Sequence, residues 1–241
     1  MTTLLLLGGL SAATCGGGFL RGYTGFGGAL VMAPFFTRLL GPIESVAIIS
    51  VLHSITALQG VRPSLTIYNR PVILPMVCSA IVSLPIGVYL LGALEPSTAK
   101  KAIAVIVIVF AILLSTGFSR VGRPTLAKSI AAGGLAGILN GFSGIGGPPA
   151  VLYLLSSQDS SHRLRAGFIL FFAVLFPITV VALLFGGAVT YTSLAYAVAL
   201  TPINYLATEA GRICFHRMHS RYFTPVCTAA LCLLGLSMLF D

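Results

Sequence analysis

Long uncharged apolar runs alternate along the chain with short connectors that hold almost all of its charge. Residues 1–20, 22–37, 45–61, 71–94, 102–119, 129–158, 166–208 and 222–240 contain no Lys, Arg, Asp or Glu. A spanning helix needs about 20 apolar residues, so most of these runs can cross a bilayer or nearly so. The run 166–208 is too long for one span and breaks at Gly186–Gly187. This pattern predicts an all-α polytopic membrane protein. Two segments, 1–40 and 126–157, carry a glycine cluster inside the apolar run. Each is expected to be a helical hairpin broken at its tip and followed by three transmembrane helices. Those are expected over 42–61, 71–92 and 100–118 after the first hairpin, and over 164–185, 190–208 and 222–240 after the second.

The two glycine clusters are copies of one another. "GFLRGYTGFGGALVMAPFF" (18–36) aligns without a gap on "GILNGFSGIGGPPAVLYLL" (137–155), an offset of 119. Gly22, Gly25, Gly27 and Gly28 meet Gly141, Gly144, Gly146 and Gly147, Thr24 meets Ser143, and Tyr23 meets Phe142. Further on, "LPIG" (84–87) matches "TPIN" (201–204) at an offset of 117. Repetition at a fixed spacing marks duplicated units. The chain is therefore read as a first transmembrane repeat, 1–120, and a second, 121–241.

Charge decides how the repeats are oriented. Only 8% of residues are charged, against about a quarter in soluble domains, and the net charge is +9. If each broken segment returns to the side it entered, Arg62, Arg70, Arg120, Arg123, Lys128, Arg163, Arg165, Arg212, Arg217 and Arg221 share one side, against Arg38, Lys100 and Lys101. That is ten against three; continuous crossings would give eight against five. The positive-inside rule favours the hairpins, with both termini outside. The first repeat then runs out-to-in and the second in-to-out, so the repeats are inverted. Inverted repeats with discontinuous helices are common in secondary transporters, with substrate bound near the midplane. The basic residues are accounted for by topology, and no nucleic acid partner is expected; the partner is the lipid bilayer.

Irregular backbone at membrane depth persists only where it is buried in protein or lines a watery cavity. A helix starting there aims free N–H groups and the positive end of its dipole into the cavity, a favourable site for an anion. Arg21, the only charge before residue 37, lies in the first motif, with Asn140 at its counterpart. The expected substrate-binding set is Arg21, Gly22, Tyr23, Thr24, Gly25, Gly27 and Gly28 from the first hairpin. The second contributes Asn140, Ser143, Gly144, Gly146, Gly147 and Pro148. In this scheme Arg21 supplies charge, Thr24, Asn140 and Ser143 supply side-chain donors, and the glycines supply backbone N–H groups. The alternative is that the glycines serve only close helix packing. G-x-G-x-x-G spacing and Walker A are both missing, so neither a dinucleotide nor ATP on this chain is expected.

Ionisable and polar residues inside spans are functional candidates. His53, with Ser50 nearby, suits a proton relay or a buried neutral imidazole, and Asn204 suits a cavity wall or a kink cap. The pattern leaves the coupling ion, proton or sodium, and the oligomeric state open. Cys15, Cys78, Cys214, Cys227 and Cys232 show no CxxC spacing and read as packing residues, so no metal or other cofactor is expected. No nucleophile–base pair stands out, which argues against an enzyme. Residues 1–14 lack a basic n-region, so the first segment is expected to remain.

At "GYTGFGGALVMAP" (22–34) and "GFSGIGGPPAVLYL" (141–154), the sequence resembles the TauE/SafE family of sulfite exporters and sulfonate permeases. "ESVAIISVLHSITAL" (44–58) and "HRLRAGFILFFAVLFPI" (162–178) follow in the family's order. The resemblance covers essentially the whole chain. It implies a bacterial inner-membrane permease that moves a small sulfur oxyanion or organosulfonate, coupled to an ion. A carrier working by alternating access is the expectation, and a passive anion channel is the alternative.

Overall fold

The computed structural model describes residues 2–115, 124–157 and 159–217, and among these every regular element is helical. The helices are α1 (Thr2–Thr24), α2 (Gly28–Leu40), α3 (Pro42–Thr56), α4 (Val61–Ser64), α5 (Arg70–Ala93), α6 (Pro96–Ser115), α7 (Leu126–Ser143), α8 (Gly147–Leu155), α9 (Ser161–Phe185) and α10 (Tyr191–Arg217). The expected span 222–240 lies outside the described residues, as do Arg120, Arg123, Arg221, Cys227 and Cys232. Both α5 and α9 are long and apolar enough to cross a bilayer. α5 exposes Leu74, Val82, Ile86 and Tyr89, and α10 exposes Val198, Tyr205 and Leu206. Apolar faces of this extent mark interaction with another phase or partner, and with so few charges in the chain that phase is lipid.

Each glycine cluster ends one helix and begins the next. In the first pair, Gly9 faces Leu39, Gly16 faces Val31 and Gly17 faces the Gly28 carbonyl, so α1 and α2 run antiparallel. In the second pair Gly146 abuts Ala136, and Ser129 Oγ lies 2.6 Å from Tyr153 Oη, which makes α7 and α8 antiparallel as well.

The long arm of each hairpin packs along a helix of the other half, α1 on α10 and α7 on α5. Small residues set both interfaces. A Cβ built on Gly22 would lie 2.0 Å from the Thr208 carbonyl oxygen, and one on Gly211 2.1 Å from that of Phe19. In the other pair, Cβ atoms on Gly141 and Gly87 would lie 2.4 and 2.0 Å from the carbonyl oxygens of Leu84 and Ile138. Backbones this close exclude any side chain, as expected where van der Waals contact replaces hydrophobic association inside lipid. Gly133, Gly137 and Gly141 of α7 lie against Met76, Ala80 and Leu84 of α5, and Gly18 and Gly22 of α1 against Asn204 and Thr208 of α10; residue numbers rise together in both pairs, so the helices are parallel.

These contacts also correct a register. Gly22 and Phe19 correspond to Gly141 and Ile138 at the offset of 119, but Thr208 and Gly211 correspond to Leu84 and Gly87 at 124. "LPIG" therefore sits opposite residues 208–211 rather than "TPIN". The shared proline of the two motifs pairs positions that lie two turns apart along the matched helices.

Two further boundaries shift from expectation. α3 ends at Thr56 rather than 61, because residues 57–60 turn and Gly60 adopts φ 82°. His53 is thus in the last turn of its helix, not mid-span. α10 runs on to Arg217 instead of ending near 208, and Glu209 and Arg212 pair along its flank.

Gly87→Val should force α5 off α7, costing about 1–3 kcal/mol as overpacking does. Gly92→Ala, with nothing within 4 Å of the added Cβ, should leave the thermal midpoint of the detergent-solubilised protein within a degree or two.

Candidate functional site

Hydrogen bonds of one design close both hairpin tips. The Gly25 N–H donates to the Arg21 carbonyl at 2.7 Å, and the Gly144 N–H to the Asn140 carbonyl at 2.8 Å. The Thr24 hydroxyl lies within donating distance of the carbonyls of Leu20 (2.8 Å) and Phe26 (2.6 Å), either of which can take its one proton, and accepts from the Phe26 N–H. Ser143 donates to the Leu139 carbonyl at 2.7 Å and accepts from the Ile145 N–H at 3.2 Å. Gly25 and Gly144 hold φ 85° and 71°, the left-handed region where a side chain is strained. The hydroxyls of Thr24 and Ser143 are therefore engaged in fastening the breaks rather than pointing at open space.

The halves differ at the residue preceding each break by four. Asn140 is a strut: its Nδ2 donates to Thr179 Oγ1 at 2.7 Å and its Oδ1 accepts from the Gly146 N–H at 3.2 Å. Arg21 reaches across to α3, where Nη1 donates to the His53 carbonyl (3.1 Å) and Thr56 Oγ1 (3.0 Å). A cation satisfying a carbonyl in the last turn of a helix is doubly favourable. The Arg21 Nε and Nη2 have no partner among the described residues, and Cζ lies 5.6 Å from the Phe176 ring centre.

A cavity opens where the tips meet. Arg21, Gly25, Phe26, Gly27 and Gly28 line it from the first hairpin, with Ala29 and Leu30 behind them. Gly144, Ile145 and Gly147 line it from the second, His53 from α3, and Phe172 and Phe176 from α9. Gly25 and Gly144, Phe26 and Ile145, Gly28 and Gly147, and His53 and Phe172 are each separated by the repeat offset of 119. Its volume of about 10 Å³ gives room for about one water. Among the described residues, Arg21 is the only charged side chain on its wall.

Backbone donors are distributed unequally. In the first hairpin Gly25 and Phe26 use their N–H groups locally, while those of Gly27, Gly28 and Ala29 have no partner among the described residues. Gly27, at φ 83°, leads into the first turn of α2; successive N–H groups at such a left-handed-to-helical step form an anion-binding concavity. In the second hairpin Gly144, Ile145 and Gly146 all use their N–H groups internally, and Pro148 and Pro149 have none. Only the Gly147 N–H remains.

Several expected site residues lie away from the cavity. Gly22 is held against α10, and Tyr23 packs edge-on against Phe215 with ring centres 5.8 Å apart. Gly146 is pressed on the Ala136 carbonyl, and Pro148 is buried at the start of α8. Ser50 is buried one turn before His53, and its hydroxyl has no partner. Asn204 donates to Thr56 Oγ1 at 3.2 Å and to the Leu52 carbonyl at 3.4 Å, which joins α10 to the same threonine that Arg21 grips.

Arg165 was counted among the connector charges, yet it is 9% exposed. Its Nη2 donates to the Gly22 carbonyl at 2.6 Å and its Nε to the Tyr23 carbonyl at 3.2 Å, and Cζ lies 4.6 Å from the Phe215 ring centre. It caps the end of α1 as Arg21 caps the end of α3. The signal that would have found it is the repeat itself: at the offset of 119, Arg165 aligns with Val46, a fully buried position.

No curated protein and no solved structure matches the chain. The model of one family, described as "Sulfite exporter TauE/SafE", matches residues 10–238. With nearly the whole length matched, the chain belongs to the TauE/SafE family of membrane-embedded transporters.

Proposed function

We propose that this protein carries a small sulfur oxyanion, sulfite or an organosulfonate, across the bacterial inner membrane by alternating access. The site is the cavity between the hairpin tips. The observation that carries this reading is the company Arg21 keeps: a buried cation with two unpaired nitrogens, beside three unpaired N–H groups and no acid. An anion would complete such a constellation, since a charge and donors drawn away from water are stabilised by a partner. Charge-assisted bonds from guanidinium and backbone N–H groups suit the oxygens of a sulfonate or sulfite. The first hairpin supplies most of the donors, and the second supplies Gly144, Ile145 and Gly147 as a close-fitting wall.

Alternating access follows from two repeats, 1–120 and 121–241, related by a two-fold axis in the membrane plane. The exchanged pairing of α1 with α10 and α7 with α5, parallel in both cases, is what such an axis requires. With the charges distributed by the positive-inside rule, this arrangement has both termini outside. A cavity with room for about one water is too small for an oxyanion. Loading therefore requires the hairpins to part, and Phe26, Phe172 and Phe176 are the side chains to be displaced.

Arg21→Ala should weaken sulfite binding to the purified protein by roughly ten- to a hundred-fold, the loss of about 1.5–3 kcal/mol from a charge-assisted contact. An unchanged affinity in a folded variant removes Arg21 from the site. In proteoliposomes, sulfite uptake should saturate and show counterflow; flux linear in concentration would contradict a carrier. Single cysteines at 62–69 and at 217 should react with an impermeant thiol reagent from the cytoplasmic side only, and reaction from outside would invert the topology.

A further inference from the structure

Resting on that reading of the site, we propose that His53 takes up one proton for each divalent oxyanion bound in the cavity, and none for a monovalent one. His53 is fully buried and lines the cavity, and neither Nδ1 nor Nε2 has a hydrogen-bond partner. An imidazole with both nitrogens idle in a protein interior is costly unless something else engages them. Its Nε2 edge lies against the N-terminus of α2, where a Cβ on Gly28 would come within 2.9 Å of Nε2. Its ring packs on Phe176 at 4.8 Å between centres, and Arg21 lies over the same Phe176 ring. Imidazole and guanidinium thus border one small space.

The charges around His53 are few enough to sum. Among the described residues, Arg21 from α1 is the only charged or titratable group that faces it. α2 presents Gly28, α9 presents Phe172 and Phe176, and the second hairpin presents Gly144, Ile145 and Gly147. Ser50 on α3 and Asn204 on α10, both neutral, stand behind the cavity wall. With the cavity empty, a protonated His53 would stand beside Arg21 with no carboxylate to offset either, so the proton leaves. A monoanion on Arg21 brings the site to neutrality with His53 uncharged. A dianion leaves one uncompensated negative charge in a low-dielectric space, which is strongly unfavourable. Protonating His53 removes that excess and provides a second charged donor. Dianion and proton therefore bind cooperatively, each raising the affinity for the other by the same factor. No covalent step is involved: the proton comes from the aqueous side to which the cavity is open and leaves with the anion. Because Phe172 stands at the repeat counterpart of His53, the cavity has one such proton position rather than two.

The test uses sulfate, which keeps two charges across about pH 6 to about 8, and methanesulfonate, which keeps one, over the range in which histidine titrates. Binding of each to the purified full-length protein is measured by calorimetry as a function of pH. The sulfate Kd should weaken by close to tenfold per pH unit over the upper part of this range, while the methanesulfonate Kd stays flat within about threefold. His53→Phe and His53→Gln should both flatten the sulfate profile. Because the readout is the slope with pH, it stands apart from any general loss of affinity in a variant. Equal slopes for the two anions in the wild type, or a sulfate slope that survives in either variant, would overturn the proton position while leaving the anion site intact. Failure of both anions to bind the wild type at any pH would remove the anion site, and the proton position with it.

Discussion

A helix broken inside a bilayer leaves backbone N–H and C=O groups that no water can reach, and each must be satisfied within the protein. That requirement organises this structure. The hydroxyls of Thr24 and Ser143 fasten the two breaks, and glycines in the left-handed region let the chain turn without strain. Arg165 then binds the carbonyls left open at the end of α1, and Arg21 binds one at the end of α3. Two buried arginines in so apolar a chain are thus explained first as helix caps. What capping leaves over is informative. Arg21 spends one of its nitrogens on α3, and the start of α2 keeps its N–H groups unspent. A protein that satisfied every backbone group would have no affinity for an anion there.

The repeated motif in the sequence gives a twinned frame whose chemistry is one-sided. The tips, their closing hydrogen bonds and their glycine contacts with the opposite half obey the same rule twice. Around the cavity the chemistry differs at three pairs of positions matched by the offset of 119. Arg21 faces Asn140, which is fully engaged as a strut; His53 faces Phe172; and Ala29 faces Pro148, which has no N–H to offer. Each of these differences moves donors and charge to the first half, on α1, α2 and α3, and leaves shape to the second. Under the proposed function, an anion would be bound by one hairpin and enclosed by the other. That division suits a carrier, because enclosure can be released without dismantling the set of donors.

Much of the frame is legible in the sequence, because glycine clusters and apolar run lengths are local features. The hairpin breaks fall where the glycines place them, and the repeat offset of 119 reappears in the cavity wall, including His53 against Phe172, which no motif marked. Side-chain orientation is not local. Whether Thr24 and Ser143 donate to a ligand or to their own backbone depends on the geometry of the turn, and the backbone has them. Gly22 and Gly141 belong to the motif but serve helix packing, the alternative that glycine patterns always admit. Arg165 was hidden by its place in "HRLRAGF", since a basic residue at the head of an apolar run resembles any connector charge. Its burial depends on α1 ending above it, a contact across 143 positions of chain.

On the proposed function, anion binding depends on the start of α2 and not equally on both hairpins. Two matched substitutions address it, Gly28→Ala and Gly147→Ala. The first places a Cβ 2.7 Å from His53 Cε1 and 2.9 Å from the Gly17 carbonyl oxygen, crowding the donors; the second meets only ordinary contacts at 3.8 Å from Phe172 and Phe26. Sulfite binding to the purified variants should weaken by at least about tenfold, or about 1.4 kcal/mol, for Gly28→Ala. For Gly147→Ala the affinity should stay close to that of the wild type. Equal losses in the two variants, or no loss in Gly28→Ala, would contradict the account.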